Sequence, residues 1–275
     1  MGFYLLEGCS VENETLSGFF EEHLAASIDD YPEGIVIPID KPYRWSSADV
    51  VRKIKFQIQK HFKHKNIKVG HAGTLDPLAT GLLIVCVGKA TKVAEELQSH
   101  EKEYVATIEF GATTPSFDLE QEIDCYYPFD HITEEMVRKV LKDFIGEQLQ
   151  VPPLFSAKVI DGLRAYEYAR VGEDVQLRKS LINITDIELL SFSEASTGNQ
   201  KTETITPEVS QSGKYYYQHS SDKSDGTRPS ATIRVRCSKG TYIRSLARDL
   251  GCALDSGGYL TALRRTASGF FSLNN

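Results

Sequence analysis

Residues 70–81 read GHAGTLDPLATG, and a single carboxylate, Asp76, stands there among turn residues and small side chains. Gly70, Gly73 and Gly81 allow backbone angles and close approaches that other residues resist, and Pro77 fixes the chain just after the acid. The segment predicts a stiff loop. LLIVCVG (82–88) follows at once, an apolar run of strand length that would anchor the loop to the core. A carboxylate on a rigid loop beside a core strand has the setting of a nucleophile or a base. The same residues fit a plainer task, because Asp-Pro pairs most often close a turn. Local chemistry leaves both readings open and leans to the turn.

The chain has 275 residues, 41% of them hydrophobic, enough to bury a core as one large domain or two small ones. No apolar run approaches the ~18 residues of a membrane span, and MGFYLLEG has neither a basic start nor a long apolar stretch. A cytoplasmic protein without membrane contact is expected. Cys9, Cys86, Cys125, Cys237 and Cys252 are scattered, with no C-x-x-C pair, which predicts reduced thiols and no metal site. Residues 1–30 hold seven acids and no Lys or Arg, which accounts for the whole net charge of −7. In the rest, RKIKFQIQKHFKHKNIK (52–68) has seven basic residues and no acid, and residues 228–265 have eight basic residues against two acids. Clustered base in a neutral body is a footprint for phosphate, although a lysine-rich helix is often only a solvated face.

The elements around the loop can be read from periodicity. EGIVIPIDKP (33–42) predicts a strand closed by a proline. SSADVVRKIKFQIQKHF (46–62) predicts a helix capped by Ser46 or Ser47, with Val50, Ile54 and Ile58 inward and a basic opposite face. A helix is expected at 91–100, then a strand over EYVATIEFG (103–111) with Val105 and Ile108 inward. TEEMVRKVLKDFIG (133–146) predicts a helix capped by Thr133, with Met136, Val137, Val140, Leu141 and Phe144 on one face. Residues 150–172 begin extended at a double proline and end in a short helix, and 182–190 predict a strand. The Ser- and Thr-rich stretch 191–230 fits a surface insertion, in which Tyr215, Tyr216 and Tyr217 either stack on bases or stand in a hairpin. ATIRVRCSKG (231–240) alternates, with Ile233, Val235 and Cys237 on one face and Arg234 and Arg236 on the other. A helix over 241–254 follows, with Arg244 and Arg248 one turn apart, and strand-like residues close the chain near 269–273. Irregular interleaving of strands and helices points to an α+β fold with a mixed, largely antiparallel sheet. Gly88-Lys89 lacks the spacing of a nucleotide-triphosphate loop, since Leu83 stands where glycine is needed.

The segment GHAGTLDPLATGLLIVCVGKATK (70–92) closely resembles the signature of the TruB family of tRNA pseudouridine synthases, related to the dyskerin-type enzymes. IDKPYRWSSADVV (39–51), KEYVATIEFGATTPSFD (102–118), VPPLFSAKVIDGLRAYEYARVG (151–172) and CSKGTYIRSLARDLG (237–251) followed by ALRRTASG (262–269) fit the same family in the same order. The resemblance implies a pseudouridine-synthase-like α+β fold, with a mixed, largely antiparallel central sheet flanked by helices and loops. It implies an acidic N-terminal extension at 1–30 and a catalytic domain at 31–275 with a surface insertion at about 193–230 and no separate C-terminal RNA-binding domain. The implied activity is isomerisation of uridine to pseudouridine at position 55, in the T loop of tRNA, by a monomer without cofactor.

Roles carried over residue by residue follow from the same resemblance. Asp76 is the catalytic nucleophile or base, Tyr104 lies against the flipped uracil, and Arg244 pairs with the aspartate. His71 fills the place of extruded bases, Leu263 packs near the uracil, Lys41 supports the site, and Gly73 and Thr74 belong to the loop that approaches the nucleotide. Lys60, Lys63, Lys65 and Arg264 are expected to grip the RNA backbone. The family's usual glycine after K-P-x is replaced by Arg44, so the turn there departs from the pattern. A guanidinium beside Asp76 would keep it ionised, and a uridine inside a folded loop must be flipped and stacked to react. A T-arm-remodelling protein and a nucleoside hydrolase are the alternatives, and the trio Asp76, Tyr104 and Arg244 argues against a pure binder.

Overall fold

A computed structural model describes residues 2–11, 16–153, 159–160, 163–164, 178–195, 208–209, 215–216 and 227–273. The helix expected at the end of 150–172, Tyr217 and most of the 191–230 insertion lie outside them. Contacts divide the chain into two units, Met1–Tyr104 with Leu263–Asn275, and Val105–Ala262.

In the first unit, Ser46 starts the helix Ser47–His61 with a reciprocal cap. Its hydroxyl accepts from the Asp49 N–H at 3.1 Å while Asp49 accepts from the Ser46 N–H at 3.0 Å. Val50, Ile54 and Ile58 are buried as their fourfold spacing requires. The leader does not stand apart from this unit. Its helix, Leu16–His23, buries Leu16 and Phe20, and His61 bonds the Ala25 carbonyl at 2.8 Å. The strand Thr80–Val87 is buried from Gly81 to Val87, which is why its sequence reads as a continuous apolar run instead of an alternation.

Three partners share the edges of that strand. Ile35–Lys41 runs antiparallel along its length, from Ile35 opposite Val87 to Lys41 opposite Gly81. Val69–Ala72 runs antiparallel along residues 84–87 on the other edge, and Arg264 and Arg265 then pair in parallel with Thr80 and Gly81. The Asp76 loop spans the point where this edge passes from one partner to the next. Tyr4–Leu5 adds a parallel pair to Ile35–Val36 and Phe271–Ser272 an antiparallel pair to Ala267–Ser268.

In the second unit, Ser230–Cys237 pairs antiparallel with Ser180–Ser193, which pairs antiparallel with Gly146–Gln150. The strands Lys102–Phe110 and Gly258–Ser268 contribute residues to both units. The helices Glu134–Asp143, capped by Thr133, and Ile243–Ala253 complete it. The sheet structure is mixed and mostly antiparallel, as expected.

Three readings of faces and elements are corrected. Val105 is half-buried and the inward residues are Tyr104, Ala106 and Ile108. Positions 105 and 108 are an odd number apart, and a strand puts such residues on opposite faces. Met136 is 37% exposed while Val137 and Leu141 carry the buried stripe of their helix. The eleven-residue strand Gly258–Ser268 was not anticipated, because the Arg264-Arg265 pair interrupts the apolar alternation that announces a strand.

Candidate active site

Asp76 is half-buried in the connection between Val69–Ala72 and Thr80–Val87. Its carbonyl accepts from the Ala79 N–H at 3.1 Å, forming a tight turn with Pro77 in the position that its fixed φ favours. The turn reading therefore holds for the backbone of Asp76. Gly81 needs its freedom, since its φ is +99° and a Cβ there would lie 2.3 Å from the Arg265 carbonyl oxygen. Gly73 has φ +91° and faces the Arg265 guanidinium. Gly70 lies within the strand without a positive φ.

Polar groups pin the loop on both sides of the acid. Before it, Ser47 Oγ donates to the Leu75 carbonyl at 3.0 Å and accepts from the Leu75 N–H at 2.9 Å. After it, the Pro77 carbonyl accepts from Lys41 Nζ at 3.2 Å and from the Arg44 N–H at 2.9 Å. Arg265 donates through Nη2 to the Gly73 carbonyl at 3.0 Å and through Nε to the Leu82 carbonyl at 2.7 Å. Ordered carbonyls on rigid neighbours leave the segment little freedom.

Lys41 fastens the loop through the Pro77 carbonyl. The residue is fully buried, and Nζ also donates to the Pro42 and Trp45 carbonyls. Burial pushes its pKa down to about 8, while the negative charge of Asp76 pulls it up. His71 is half-buried on the strand before the loop, and its Nδ1 is buried without a hydrogen-bond partner. Burial, followed by the Arg265 charge, lowers its pKa, so the ring favours its neutral form. Thr74 is exposed and Gly73 buried. Arg44 takes the left-handed conformation, φ +66°, that a glycine would accept without strain.

The other residues singled out in this unit are distributed as follows. Tyr104 lies on the strand Lys102–Phe110 and is 9% exposed. Leu263 is half-buried on the strand Gly258–Ser268. Arg264 is engaged bidentately by Asp40, at 2.9 and 2.6 Å. Its neighbour Arg265, not singled out from the sequence, bonds the Gly73 carbonyl of the Asp76 loop. The signal was present in the Arg-Arg pair, since consecutive strand residues face opposite ways and one of the two must point inward. Lys60, Lys63 and Lys65 are exposed at the end of the basic helix and in the turn after it.

In the second unit, Arg244 is buried on Ile243–Ala253. It lies 3.7 Å from Asp118 and donates to the Ser116 carbonyl at 3.3 Å. Asp118 is held by Ser116 Oγ at 2.6 Å and by the Glu120 N–H at 2.9 Å. Gln150 secures the start of the helix through two bonds to Tyr242, donating to its carbonyl at 3.1 Å and accepting from its N–H at 2.9 Å. Arg248, one turn on, pairs with Asp249 at 2.7 Å and lies 5.1 Å over the Phe117 ring. Asp118 and Gln150 carried no signal of their own in the sequence. Among the described residues no group of three His, Cys, Asp or Glu side chains could hold a metal ion, and no helix is long and apolar enough to cross a membrane.

Comparisons with known proteins place the chain in a family. The family model described as TruB family pseudouridylate synthase (N terminal domain) matches residues 59–217. The tRNA pseudouridine synthase B of Phocaeicola vulgatus is 50% identical over 240 residues, covering 87% of this chain and 88% of the relative. That of Flavobacterium johnsoniae is 44% identical over 248 residues, covering 90% and 93%. Among solved structures, a chain of a Cbf5-Nop10-Gar1 complex matches with a TM-score of 0.56 and 28% identity over 90% of this chain. This chain spans only 52% of that one's length. With half of the aligned residues identical to those of a tRNA pseudouridine synthase B over most of both chains, and with the family model matching residues 59–217, the chain belongs to the TruB family of pseudouridylate synthases.

Proposed function

We propose that the protein converts uridine 55 in the T loop of tRNA to pseudouridine, with Asp76 as the reacting carboxylate. The observation that carries this reading is the half-buried Asp76 on a loop fastened on both sides, by Ser47 before it and by Lys41 and Arg44 after it. The isomerisation breaks the bond from the sugar to N1 of uracil, forms one to C5, and moves a proton from C5 to solvent or base while N1 gains one. No atoms are lost, so a group that attacks or deprotonates, and a site that keeps the detached base in place, are sufficient.

Tyr104 is assigned the face of the flipped uracil, Leu263 its apolar flank, and Arg244 the countercharge that keeps Asp76 ionised. His71, with a neutral ring and an unused nitrogen, occupies the space left by the extruded nucleotide. Gly73 and Thr74 let the loop approach it. Lys60, Lys63, Lys65 and Arg264 supply charge for the phosphates of the T arm, with Arg264 already partly neutralised by Asp40. The protein acts as a monomer in the cytoplasm, where its tRNA substrate is found.

Asp76→Asn tests the reading with the smallest change of shape. Pseudouridine formation in a tRNA transcript should fall below detection while affinity for the tRNA stays within about threefold, since the carboxylate acts in the reaction step. Full turnover by this variant would remove Asp76 from the chemistry and leave an RNA-binding protein.

A further inference from the structure

Beside the N-terminal end of the basic helix lies a hollow that the reaction above does not use. Arg44, Trp45, Asp49, Arg52, Lys53 and Phe56 line it, and its volume is about 570 Å³, within the ~300–1,000 Å³ of small-ligand sites. Phe56 is 66% exposed although Val50, Ile54 and Ile58 of the same helix are fully buried. That exposed ring stands with Trp45 in the lining of the hollow. The charges are arranged unevenly. Arg52 is matched by Asp49 at 2.8 Å, while Arg44 and Lys53 enter no ion pair among the described residues. Lys53 Nζ lies 5.4 Å over the Trp45 ring and donates to the Val11 carbonyl, and the Arg44 guanidinium lies 5.5 Å over the Tyr43 ring.

Aromatic walls with two uncancelled cations complement the flat base and the phosphate of a nucleotide. An apolar peptide anchor would have to desolvate those cations without compensation. The hollow is also joined to the Asp76 loop, because the Arg44 N–H holds the carbonyl of Pro77, the residue after the acid. Arg44 keeps a left-handed backbone there that disfavours any side chain.

We propose that this hollow is a second nucleotide subsite, which takes an unpaired nucleotide of the tRNA other than the target uridine. The base rests on Phe56 and Trp45, and the phosphate meets Arg44 and Lys53. The proposal rests on the reading of the protein as an enzyme acting on tRNA, and its test is separate from the chemistry of Asp76.

Trp45 is the chain's single tryptophan, so tryptophan emission reports on a residue that lines this hollow. The full chain titrated with an unmodified tRNA transcript should show a saturable change in Trp45 emission. Phe56→Ala and Arg44→Ala should each weaken the affinity at least ~5-fold, the lower end of base–aromatic stacking. Arg44→Ala should also lower the salt slope by about one, and Arg44→Lys should recover that charge component. Thermal melting establishes that these surface variants are folded. No emission change at saturating tRNA, or affinities within twofold of wild type in both alanine variants, would overturn the subsite and leave the hollow to a protein partner. Failure of the catalytic reading looks different: the wild type would make no pseudouridine while the emission change persisted.

Discussion

The Asp76 loop and the start of the Arg244 helix are both held by buried polar side chains, yet their charges are handled differently. Around Asp76, two buried cations direct their donors to neutral backbone carbonyls: Lys41 to Pro42, Trp45 and Pro77, Arg265 to Gly73 and Leu82. On the helix, Arg244 has the carboxylate of Asp118 at 3.7 Å, and a neutral amide, Gln150, secures the first turn. A carbonyl satisfies a donor without cancelling its charge. The loop is therefore fastened by two buried side chains that keep their positive charge. The effects are visible in Lys41 and His71, whose pKa values burial lowers, with Arg265 contributing in the same direction.

The contrast can be broken at Arg265. Arg265→Met should leave the Gly73 and Leu82 carbonyls unpaired and cost about 3 kcal/mol in urea unfolding, with activity reduced further than stability alone accounts for. Arg264→Met, which removes an exposed pair with Asp40, should cost under about 1 kcal/mol. Equal losses would show that the loop is not held from this strand. Gln150→Ala should cost about 2 kcal/mol, since both of its bonds to Tyr242 are lost in a buried place. A loss below about 0.5 kcal/mol would mean that the helix start needs no such clamp.

Lys41 sharpens the comparison through pH. Its folded pKa, about 8, lies below the ~10.5 expected when unfolded. Between these values the unfolded chain holds a proton that the folded chain has released, so this residue's contribution to stability rises with pH across the window and is flat below it. Urea midpoints followed from about pH 7 to about pH 10 should rise more in the wild type than in Lys41→Met; parallel profiles would place the ammonium in an ordinary environment. The smallest effect is expected at Arg44, where Arg44→Gly should relieve the left-handed backbone and raise stability by about 0.5 kcal/mol after the added flexibility of the unfolded chain is counted. A lower melting temperature would show that the guanidinium contributes more than the strain removes.

Much of the site was legible because it is local. The run GHAGTLDPLATG announces a stiff loop, the serine pair 46–47 ahead of Val50, Ile54 and Ile58 announces a capped helix, and the alternation of 231–237 announces which residues are inward. Family motifs added Tyr104 and Arg244 as expectations. The supporting shell was not legible. Ser47, Arg265, Gln150 and Asp118 act through partners from 28 to 192 positions away in the chain, and no spacing rule encodes such pairs. The acidic N-terminal extension shows the same limit, since its run of acids gives no sign that Leu16 and Phe20 are buried.

The sequence by itself determined which residue types could react, where many of the helices and strands form, and the family to which they belong. Tertiary structure alone decided which of two adjacent arginines turns inward to hold the loop, that Lys41 is enclosed instead of displayed, and that Val105 gives way to Tyr104 on the buried face. The physical reason is the period of two in a strand, which sends neighbours to opposite faces. Only the pairing of strands distant in the chain decides which face meets the core.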